Sequence, residues 1–393
     1  MSWPKVRLGE LGKMIRGSGI RRNETVPEGL PCIRYGEIYT SYNVVLDRPR
    51  SFVPPSLYEK CPHIKKGDLV LALTGENKEE IAKTLAYLGD EEIAAGGDTA
   101  VWTGHGCDPL YLAYMMYSPR MIKAKADASN GHIVVHASVK KLQQIEVSLP
   151  PLSEQRKIAA SVDKGMKRVD AIERQFEKLR RKADEYLLSA MSGAFTSSTG
   201  KKALADVCKS MSVGIVVRPT RYYVKDGLRA FRNTNIRPNA VRDADWICVD
   251  RRAIFENPRS EVKSGDVVVA RSGLPGVAAV IEARHDGYAA IDVLILKPDP
   301  DSVDSHYLAY YINTPHSQAL IKRMNNGVAQ SHVGLTNIAK LPVAVPELRE
   351  QRRIVAALDA ARRRAGEFDA LAARGLANCA RMRKAILAEA FAV

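Results

Sequence analysis

Two stretches of the chain carry the hydrophobic spacing of a coiled-coil helix. From residue 158, and again from residue 354, apolar or small residues recur in alternating steps of four and three, the a/d pattern of a coiled-coil seam. We therefore predict long helices at 152–196 and 347–393, each roughly 60 Å long at ~1.5 Å per residue. The two seams are Ile158, Val162, Gly165, Val169, Ile172, Phe176, Leu179, Ala183, Tyr186 and Ala190, and Ile354, Leu358, Ala361, Ala365, Phe368, Ala372, Gly375, Cys379, Met382 and Ile386.

The second seam carries smaller side chains than the first. Small residues facing bulky ones allow helices to approach closely, so we predict that the two helices pair antiparallel within the chain. Packing of each helix on its own globular segment, or pairing in a homodimer, are the alternatives. Ser153 is the predicted N-cap of the first helix.

The segments before the helices, 1–151 and 197–346, have the mixed pattern of α/β domains. Short apolar runs at 69–73 and 267–270 follow Gly-Asp turns, which predicts strands. Short apolar runs that end near proline predict helices. The expected fold class is therefore mixed α/β (α+β) with many loops.

The second half of the chain repeats the first at an offset of 196 residues. Farther upstream the offset is 198, as at Arg34 and Arg232. Two copies of this length predict a pseudo-twofold internal repeat rather than a solenoid. The matched segments are 111–119 with 307–315, 150–158 with 346–354, and 194–195 with 390–391.

Positive charge is spread along the whole chain. Lys and Arg number 59 and Asp and Glu 44, for a net charge of +15. Segments 1–150, 152–195, 201–346 and 347–393 carry +2, +3, +6 and +4. Such charge predicts a polyanionic partner, nucleic acid before a membrane surface, with a role in solubility as the plain alternative. Two similar basic domains suit a long duplex contacted at two places.

Cysteine usage and the N-terminal sequence predict a cytoplasmic protein. The six cysteines form no CxxC pair and the histidines are scattered, so no metal site is predicted. The first residues lack the apolar region of a signal peptide, and no apolar stretch is long enough to span a bilayer.

Motifs of catalysis are missing from the sequence. It contains no phosphate-binding loop, GxSxG, HExxH or Asn-Pro-Pro-aromatic motif, so we predict no catalytic residue and no cofactor. Asp250, Glu261 and Lys263 have the spacing of a metal-dependent nuclease. However, segment 263–266 matches 65–68, which indicates a repeated turn. A self-contained nuclease or methyltransferase, or a coiled-coil adaptor without DNA specificity, remain as alternatives.

The matched motifs resemble one family over essentially the whole chain. The Pro-Pro-Leu-Ser-Glu-Gln-Arg-Lys-Ile run at 150–158, its partner at 346–354, and the helix ends at Phe195 and Phe391 are similar to specificity subunits of type I restriction–modification systems. The twin segments 33–38 and 231–236 add to the likeness. The sequence departs from the first motif at Glu347, where the first copy has Pro151.

The resemblance implies a domain order and a set of partners. It implies target recognition domain 1 at 1–151, a central spacer helix at 152–196, target recognition domain 2 at 197–346 and a C-terminal spacer helix at 347–393. It also implies double-stranded DNA, two methyltransferase (modification) subunits and restriction/translocase subunits as partners, with adenine methylation performed by the modification subunits. Because the loops of the two copies differ, the target should be bipartite and asymmetric.

Loop residues with several hydrogen-bonding groups are the candidates for reading DNA, because Arg suits guanine edges and Asn or Gln suits adenine. Arg34 and Arg232 match in the repeat, which favours phosphate or structural contacts. The matched His136 and His332 are expected to be buried and hydrogen-bonded. The candidates are Arg16, Arg21, Arg22, Arg34, Tyr35, Thr74, Asn77 and Asn130 in the first domain, and Arg218, Arg221, Arg232, Asn233, Arg271, Ser272, Asn325, Asn326 and Gln330 in the second.

The starts of the two helices are the candidates for binding partner subunits. Capping and packing inside the chain are the alternative role for these residues. The candidates are Glu154, Gln155, Arg156, Glu350, Gln351 and Arg352.

Overall fold

The computed structural model describes residues 3–131, 134–195, 200–325 and 332–392. The chain divides into two compact units, unit 1 with residues 1–176 and 373–393 and unit 2 with residues 177–372. The division falls in the middle of both long helices. Each unit therefore holds one globular segment and half of each helix, and the fold is mixed α/β as predicted.

Unit 1 is built from short strands and short helices before the first long helix. Its helices are α1 Tyr35–Thr40, α2 Pro55–Tyr58, α3 Pro109–Met115, α4 Pro119–Asp127, α5 Val139–Leu142 and α6 Leu152–Ala194, the last of which continues into unit 2. Its strands are β1 Lys5–Arg7, β2 Lys13–Arg16, β3 Leu30–Ile33, β4 Val45–Leu46, β5 Ser51–Val53, β6 His63–Ile64, β7 Leu69–Ala72, β8 Thr74–Gly75, β9 Thr84–Tyr87, β10 Ile93–Ala95, β11 Thr99–Thr103, β12 Ser129–Asn130, β13 Val135–Ala137 and β14 Glu146–Ser148.

Unit 2 repeats this plan. Its strands are β15 Lys201–Ala203, β16 Cys208–Val213, β17 Tyr223–Val224, β18 Leu228–Phe231, β19 Ile236–Arg237, β20 Ala240–Val241, β21 Ile247–Val249, β22 Val267–Ala270, β23 Ala278–Val280, β24 Ala289–Ala290, β25 Val293–Pro298 and β26 Pro342–Ala344. Its helices are α7 Arg252–Glu256, α8 Ser305–Ile312, α9 Pro315–Met324, α10 Leu335–Ile338 and α11 Leu348–Ala390, the last of which continues into unit 1.

The larger sheets share part of their strand order: β2-β11-β7-β9 matches β16-β25-β22-β23, and β5-β3-β10 matches β21-β18-β24. In unit 1 they run β2-β11-β7-β9-β4 and β5-β3-β10-β6, and in unit 2 β16-β25-β22-β23 and β17-β21-β18-β24. One parallel pair recurs, β3 with β10 and β18 with β24. The smaller sheets are β1-β14 and β12-β13-β8 in unit 1, and β15-β26 and β19-β20 in unit 2.

The central strand of each unit separates two hydrophobic cores. Along β7, Leu69 and Leu71 enter one core while Val70 and Ala72 enter another. Successive side chains of a strand point to opposite faces, so a strand that is buried on both faces must be apolar throughout. Strand β22 divides two cores of unit 2 in the same way. This explains the uninterrupted apolar runs that predicted these strands.

The predicted turn before each central strand is confirmed. Asp68 accepts a hydrogen bond from the Lys65 N–H at 2.8 Å, and Asp266 accepts one from the Lys263 N–H at the same distance. Glu261 pairs with Lys263 at 2.7 Å. The nuclease-like spacing therefore serves a turn and an ion pair.

The first long helix begins one residue before the predicted N-cap. Helix α6 starts at Leu152, and its first i→i−4 hydrogen bond runs from the Gln155 N–H to the Pro151 carbonyl at 3.0 Å. Pro151 therefore stands at the cap, and the prediction for Ser153 is wrong because this residue lies in the first turn. The cap residue needs only its carbonyl for the helix, so proline is tolerated there.

The two long helices pair antiparallel, as predicted. In unit 1 the Gly165 backbone lies against Ile386 and Gly375 lies against the Phe176 ring, while Arg383 bonds to Asp170. Residue numbers on one helix fall as those on the other rise. In unit 2 Arg180 Nε donates to Asp369 at 2.9 Å.

Most of the predicted seam is buried or half-buried, and the exceptions are symmetric. Ile172, Tyr186, Phe368 and Met382 are exposed. Phe368 and Met382 lie 196 residues after Ile172 and Tyr186, so both helices expose seam residues at the same two positions of the repeat. A seam between only two helices covers one flank of such large side chains and leaves the other to solvent.

Each globular segment holds the start of one long helix and the end of the other. In unit 1 the Phe391 ring, at the end of α11, lies 5.5 Å from the Tyr111 ring. In unit 2 the Phe195 ring, at the end of α6, lies 5.3 Å from the Tyr307 ring. The two ring pairs are related by the repeat offset of 196. Because the long helices run antiparallel, the end of each one packs on the globular segment of the other copy.

Tight packing at Gly375 can be tested with alanine. An added Cβ would lie 2.4 Å from the Phe176 ring, whereas Gly366 has open space around it. We predict that Gly375→Ala lowers the free energy of unfolding by about 1–3 kcal/mol through overpacking. Gly366→Ala, on the same helix, should raise it by about 0.5–1 kcal/mol through helix propensity. Denaturant unfolding of the full chain measures both, and equal effects would contradict the close approach.

A buried lysine distinguishes the cores of the two copies. Lys125 in α4 is 2% exposed, and its Nζ donates to the Ala82 carbonyl at 3.1 Å. Burial lowers the pKa of Lys125 to about 7. The matched residue of the second copy is the buried Ile321.

We predict that Lys125→Ile stabilises the chain by about 1–3 kcal/mol at pH 7. The unfolded lysine binds a proton between pH ~7 and ~10 that the folded lysine lacks, so the parent becomes more stable as pH rises through this range. The gain in the free energy of unfolding that Lys125→Ile brings should therefore shrink toward pH ~10. Urea unfolding at several pH values measures it, with the exposed Lys123→Ile as control. A gain that does not depend on pH would contradict the depressed pKa.

Candidate nucleic-acid interface

The loop after β2 packs closely on the turn between β10 and β11. The Gly17 N–H donates to the Thr99 carbonyl at 3.0 Å, and a Cβ on Gly17 would lie 2.0 Å from the Gly96 oxygen. In the second copy a Cβ on Gly214 would lie 2.4 Å from the Ala290 oxygen. Only glycine permits this approach, so both copies place their first candidate loop in the same way.

Several candidates of the first domain present free surface on these loops. Arg16 ends β2, and Arg21 and Arg22 lie in the short turn that follows. All three side chains are exposed, as is Tyr35 at the start of α1. Their exposure keeps the DNA-binding prediction open.

Other first-domain candidates bond within the domain. The Arg34 guanidinium lies 2.8 Å from Glu37. Thr74 is buried, and its hydroxyl lies 3.1 Å from His136 Nδ1. Asn77 Oδ1 accepts the Glu80 N–H at 2.8 Å. These contacts shape the loops, and a role in reading bases stays a prediction.

The remaining first-domain candidate and the two histidines complete this picture. Asn130 is exposed and accepts a hydrogen bond from Lys141 at 3.3 Å. His136 is exposed, so the expectation of a buried ring is wrong for it, although the expected hydrogen bond is present. The strand β13 places its side chain outward beside Val135 and Ala137, which point inward. His332 is half-buried.

Three candidates of the second domain form one network. Asn233 Oδ1 accepts the Arg271 N–H at 2.7 Å, and its Nδ2 donates to Ser272 Oγ at 2.8 Å. The Arg271 guanidinium pairs with Asp292 and donates from Nε to the Val333 carbonyl at 3.3 Å. The structure thus joins four segments that are distant in sequence. Asp292 was not foreseen, since nothing in the sequence around it signals a partner for arginine.

Further second-domain candidates are partly engaged within the chain. Arg218 is exposed, with a positive φ of 45°. Arg221 pairs with Glu256 at 3.0 Å, and Arg232 donates to the Asp245 carbonyl at 2.7 Å. Asn325 donates to the Ile321 carbonyl at 2.7 Å, at the end of α9. Asn326 and Gln330 lie outside the described residues.

The glutamines of the two repeated motifs lie inside the chain. Gln155 is 3% exposed and Gln351 is 0% exposed. Gln155 accepts the Asp108 N–H at 2.9 Å and donates to the Pro150 carbonyl at 2.9 Å. Gln351 does the same with Asp304 at 2.8 Å and the Pro346 carbonyl at 2.7 Å. Each side chain joins the start of a long helix to the start of a short one.

The neighbouring motif residues face solvent. Arg156 and Arg352 are exposed. Glu154 pairs with Lys157 at 2.7 Å, and Glu350 pairs with Arg353 at 2.7 Å. Of the partner-binding candidates, Glu154 and Arg156 in unit 1 and Glu350 and Arg352 in unit 2 reach the surface, and their role in binding a partner stays a prediction. The two glutamines are almost completely buried.

A tyrosine–aspartate hydrogen bond, present in both copies, also connects each long helix to its globular segment. Tyr114 donates to Asp163 at 3.1 Å, and Tyr310 donates to Asp359 at 2.7 Å. Burial and the nearby carboxylate raise the pKa of Tyr310 to about 12, and burial raises that of Tyr114 as well. Both phenols stay protonated and keep donating. The repeat offset of 196 was the available sequence signal for these pairs.

The described part of the chain contains neither a cluster of metal ligands nor a helix suited to the membrane. Within residues 3–131, 134–195, 200–325 and 332–392, no group of three or more His, Cys, Asp or Glu side chains could hold a metal ion. Asp250 pairs with Arg252 at 2.6 Å, which lowers the pKa of Asp250. Among these same residues, no helix is long and apolar enough to cross a membrane.

Comparison with known proteins identifies the family. The model of the type I restriction modification DNA specificity domain matches residues 2–181 and 258–365. The chain belongs to this family. The family domain thus covers most of both copies, including the start of each long helix.

Relatives and solved structures of the family extend along nearly the whole chain. The specificity subunit of the type I restriction enzyme StySPI of Salmonella potsdam is 23% identical, over 99% of this chain and 88% of the relative. That of EcoKI of Escherichia coli K12 is 21% identical over the same shares. A chain solved in work on complex assembly and conformational transition of the type I R-M system shares the fold at a TM-score of 0.76, with 21% identity over 99% of this chain and 97% of that one. The HsdS subunit of Thermoanaerobacter tengcongensis gives a TM-score of 0.56, with 20% identity over 99% and 96%.

The buried glutamine of the repeated motif can be tested directly. We predict that Gln351→Ala lowers the free energy of unfolding by about 2–4 kcal/mol, because it leaves the partly buried Asp304 N–H and Pro346 carbonyl without their hydrogen-bond partner. The neighbouring exposed variant Arg352→Ala should stay within about 0.5 kcal/mol of the parent. Denaturant unfolding measures both. A neutral Gln351→Ala would show that the amide does not hold the junction.

Proposed function

We propose that the chain is the DNA sequence-specificity subunit of a type I restriction–modification complex and supplies no catalytic residue. In this proposal 1–151 and 197–346 are target recognition domains, and 152–196 and 347–393 are spacer helices. The observation that carries it is a repeated scaffold with different residues at matched loop positions.

The scaffold positions are the same in both copies. Three features make equivalent contacts in both copies: the glycines Gly17 and Gly214, the turns 65–68 and 263–266, and the buried glutamines of the two motifs. These contacts fix the backbone from which the loops project, so the loops can vary without loss of the fold.

The loop positions differ in the groups they offer to a base. Where the first copy has Tyr35 and Thr74, the second has Asn233 and Ser272. Arg271 stands where the first copy has Leu73. Since Arg and Asn pair with different base edges, the two domains should read different sequences. The target is therefore a bipartite, asymmetric double-stranded DNA sequence.

The partners follow from the family and the charge. Two methyltransferase subunits and the restriction/translocase subunits assemble on this chain, and they perform methyl transfer, translocation and cleavage. The exposed motif residues at the helix starts, Glu154, Arg156, Glu350 and Arg352, support a role in this assembly. The complex acts in the cytoplasm, where the free cysteines stay reduced.

A methylation map tests the function. We predict that cells expressing the chain with its methyltransferase subunits gain methylated adenines at one bipartite motif with unlike halves. Exchanging residues 197–346 for the second domain of a relative should change only one half, because each domain reads separately. Genome-wide sequencing of modified bases measures this. An unchanged map, or a change in both halves, would contradict the proposal.

The alternatives predict other outcomes. A self-contained nuclease or methyltransferase would cleave or methylate DNA as the purified chain alone. An adaptor without specificity would bind random duplexes as well as the mapped motif.

A further inference from the structure

The second globular segment carries an exposed apolar surface that the proposed function has not used. Phe255 in α7 is 83% exposed, and Val217, in the loop after β16, is 75% exposed. We name Val217, Arg218, Arg251, Arg252 and Phe255 the α7 surface. Large apolar side chains with this much exposure mark an interaction site when they lie together.

The two parts of the α7 surface are held beside each other. Glu256, next to Phe255, accepts hydrogen bonds from Arg221 at 3.0 Å and from the Tyr222 hydroxyl at 2.6 Å. The Asp250 N–H donates to the Tyr222 carbonyl at 2.9 Å. Ile215 and Ala253 belong to the same small hydrophobic core. The loop that presents Val217 and the helix that presents Phe255 are therefore packed against each other.

This face is basic. Residues 214–224 and 250–260 contain five arginines and two acidic residues. All three arginines of the α7 surface are exposed. Although Arg252 pairs with Asp250, the net positive charge of the two segments matches a polyanion. Arginines beside apolar side chains are typical of proteins that hold phosphates while packing apolar groups against a groove.

The first copy has no counterpart of the part of this surface that α7 supplies. The buried Val53 and Val249 occupy equivalent places 196 residues apart, because Val53 pairs with Leu30 of β3 and Val249 pairs with Leu228 of β18. In this alignment Arg251, Arg252 and Phe255 stand where the first copy has a proline, a serine and Glu59. The core that supports the helix is kept in both copies, so the difference is confined to the face that points outward.

We propose that the α7 surface is a DNA-contacting surface of the second recognition domain alone. Arg251 binds a phosphate and Phe255 packs against the sugars and base edges next to the half-site read by the Arg271 network. The surface continues the predicted loop of Arg218 and Arg221, which places it beside the candidate interface. This inference rests on the proposed function and adds an asymmetric contact to it.

Binding of the full chain, in complex with its methyltransferase subunits, to a duplex that carries the mapped motif tests the proposal. Phe255→Ala should weaken binding about tenfold, equivalent to ~1.4 kcal/mol, without changing the unfolding midpoint, because the side chain is exposed. Arg251→Ala should reduce the slope of log affinity against log salt by about one. The matched first-copy variant Glu59→Ala should not weaken binding.

The outcomes separate this inference from the proposed function. If the parent prefers the motif over a scrambled duplex but both variants bind like the parent, the α7 surface does not contact DNA. If Phe255→Ala keeps DNA binding but loses a methyltransferase subunit on purification, the surface belongs to a protein interface and the inference is overturned. A parent that shows no preference for the motif overturns the proposed function itself.

Discussion

The structure depends on one buried amide that occurs twice. Gln155 and Gln351 each satisfy a backbone N–H at the start of a short helix and a carbonyl before a long helix. A buried polar group without partners costs more than a hydrogen bond gains, so this geometry is strongly preferred over alternatives. The long helix is thereby fixed to its globular segment in the same way in both copies. The tyrosine–aspartate bonds on the next turns reinforce it.

The contacts that determine the fold are therefore different from the loop residues that would recognise DNA. Burial and hydrogen bonding determine the central strands, the turns 65–68 and 263–266, and the helix junctions. These features occur in both copies. The loops contribute little to the cores and are free to differ. Arg271 illustrates the result: its backbone N–H bonds to Asn233 while its guanidinium pairs with Asp292, and the first copy has Leu73 at the matched position.

Regular periodicity explains what could be predicted from the sequence. The 4-3 spacing gave both long helices and their antiparallel pairing, and the offset of 196 gave the repeated scaffold. Contacts set by tertiary structure could not be predicted. Pro151 displaced Ser153 from the cap because two prolines fix the preceding backbone, and the outward position of His136 depends on strand pairing with β8 and β12. The α7 surface emerged only once burial was known, because Phe255 looks like a core residue in the sequence.

In the proposed function, two recognition domains with different loops are built on scaffolds that can replace each other. The most direct measurement is the methylated-adenine motif of a chain in which residues 201–342 are replaced by a second copy of residues 5–146, with both helices kept. We predict that the complex still assembles and methylates a motif whose two halves have become identical. A motif with unlike halves, produced by two identical recognition domains, would contradict it.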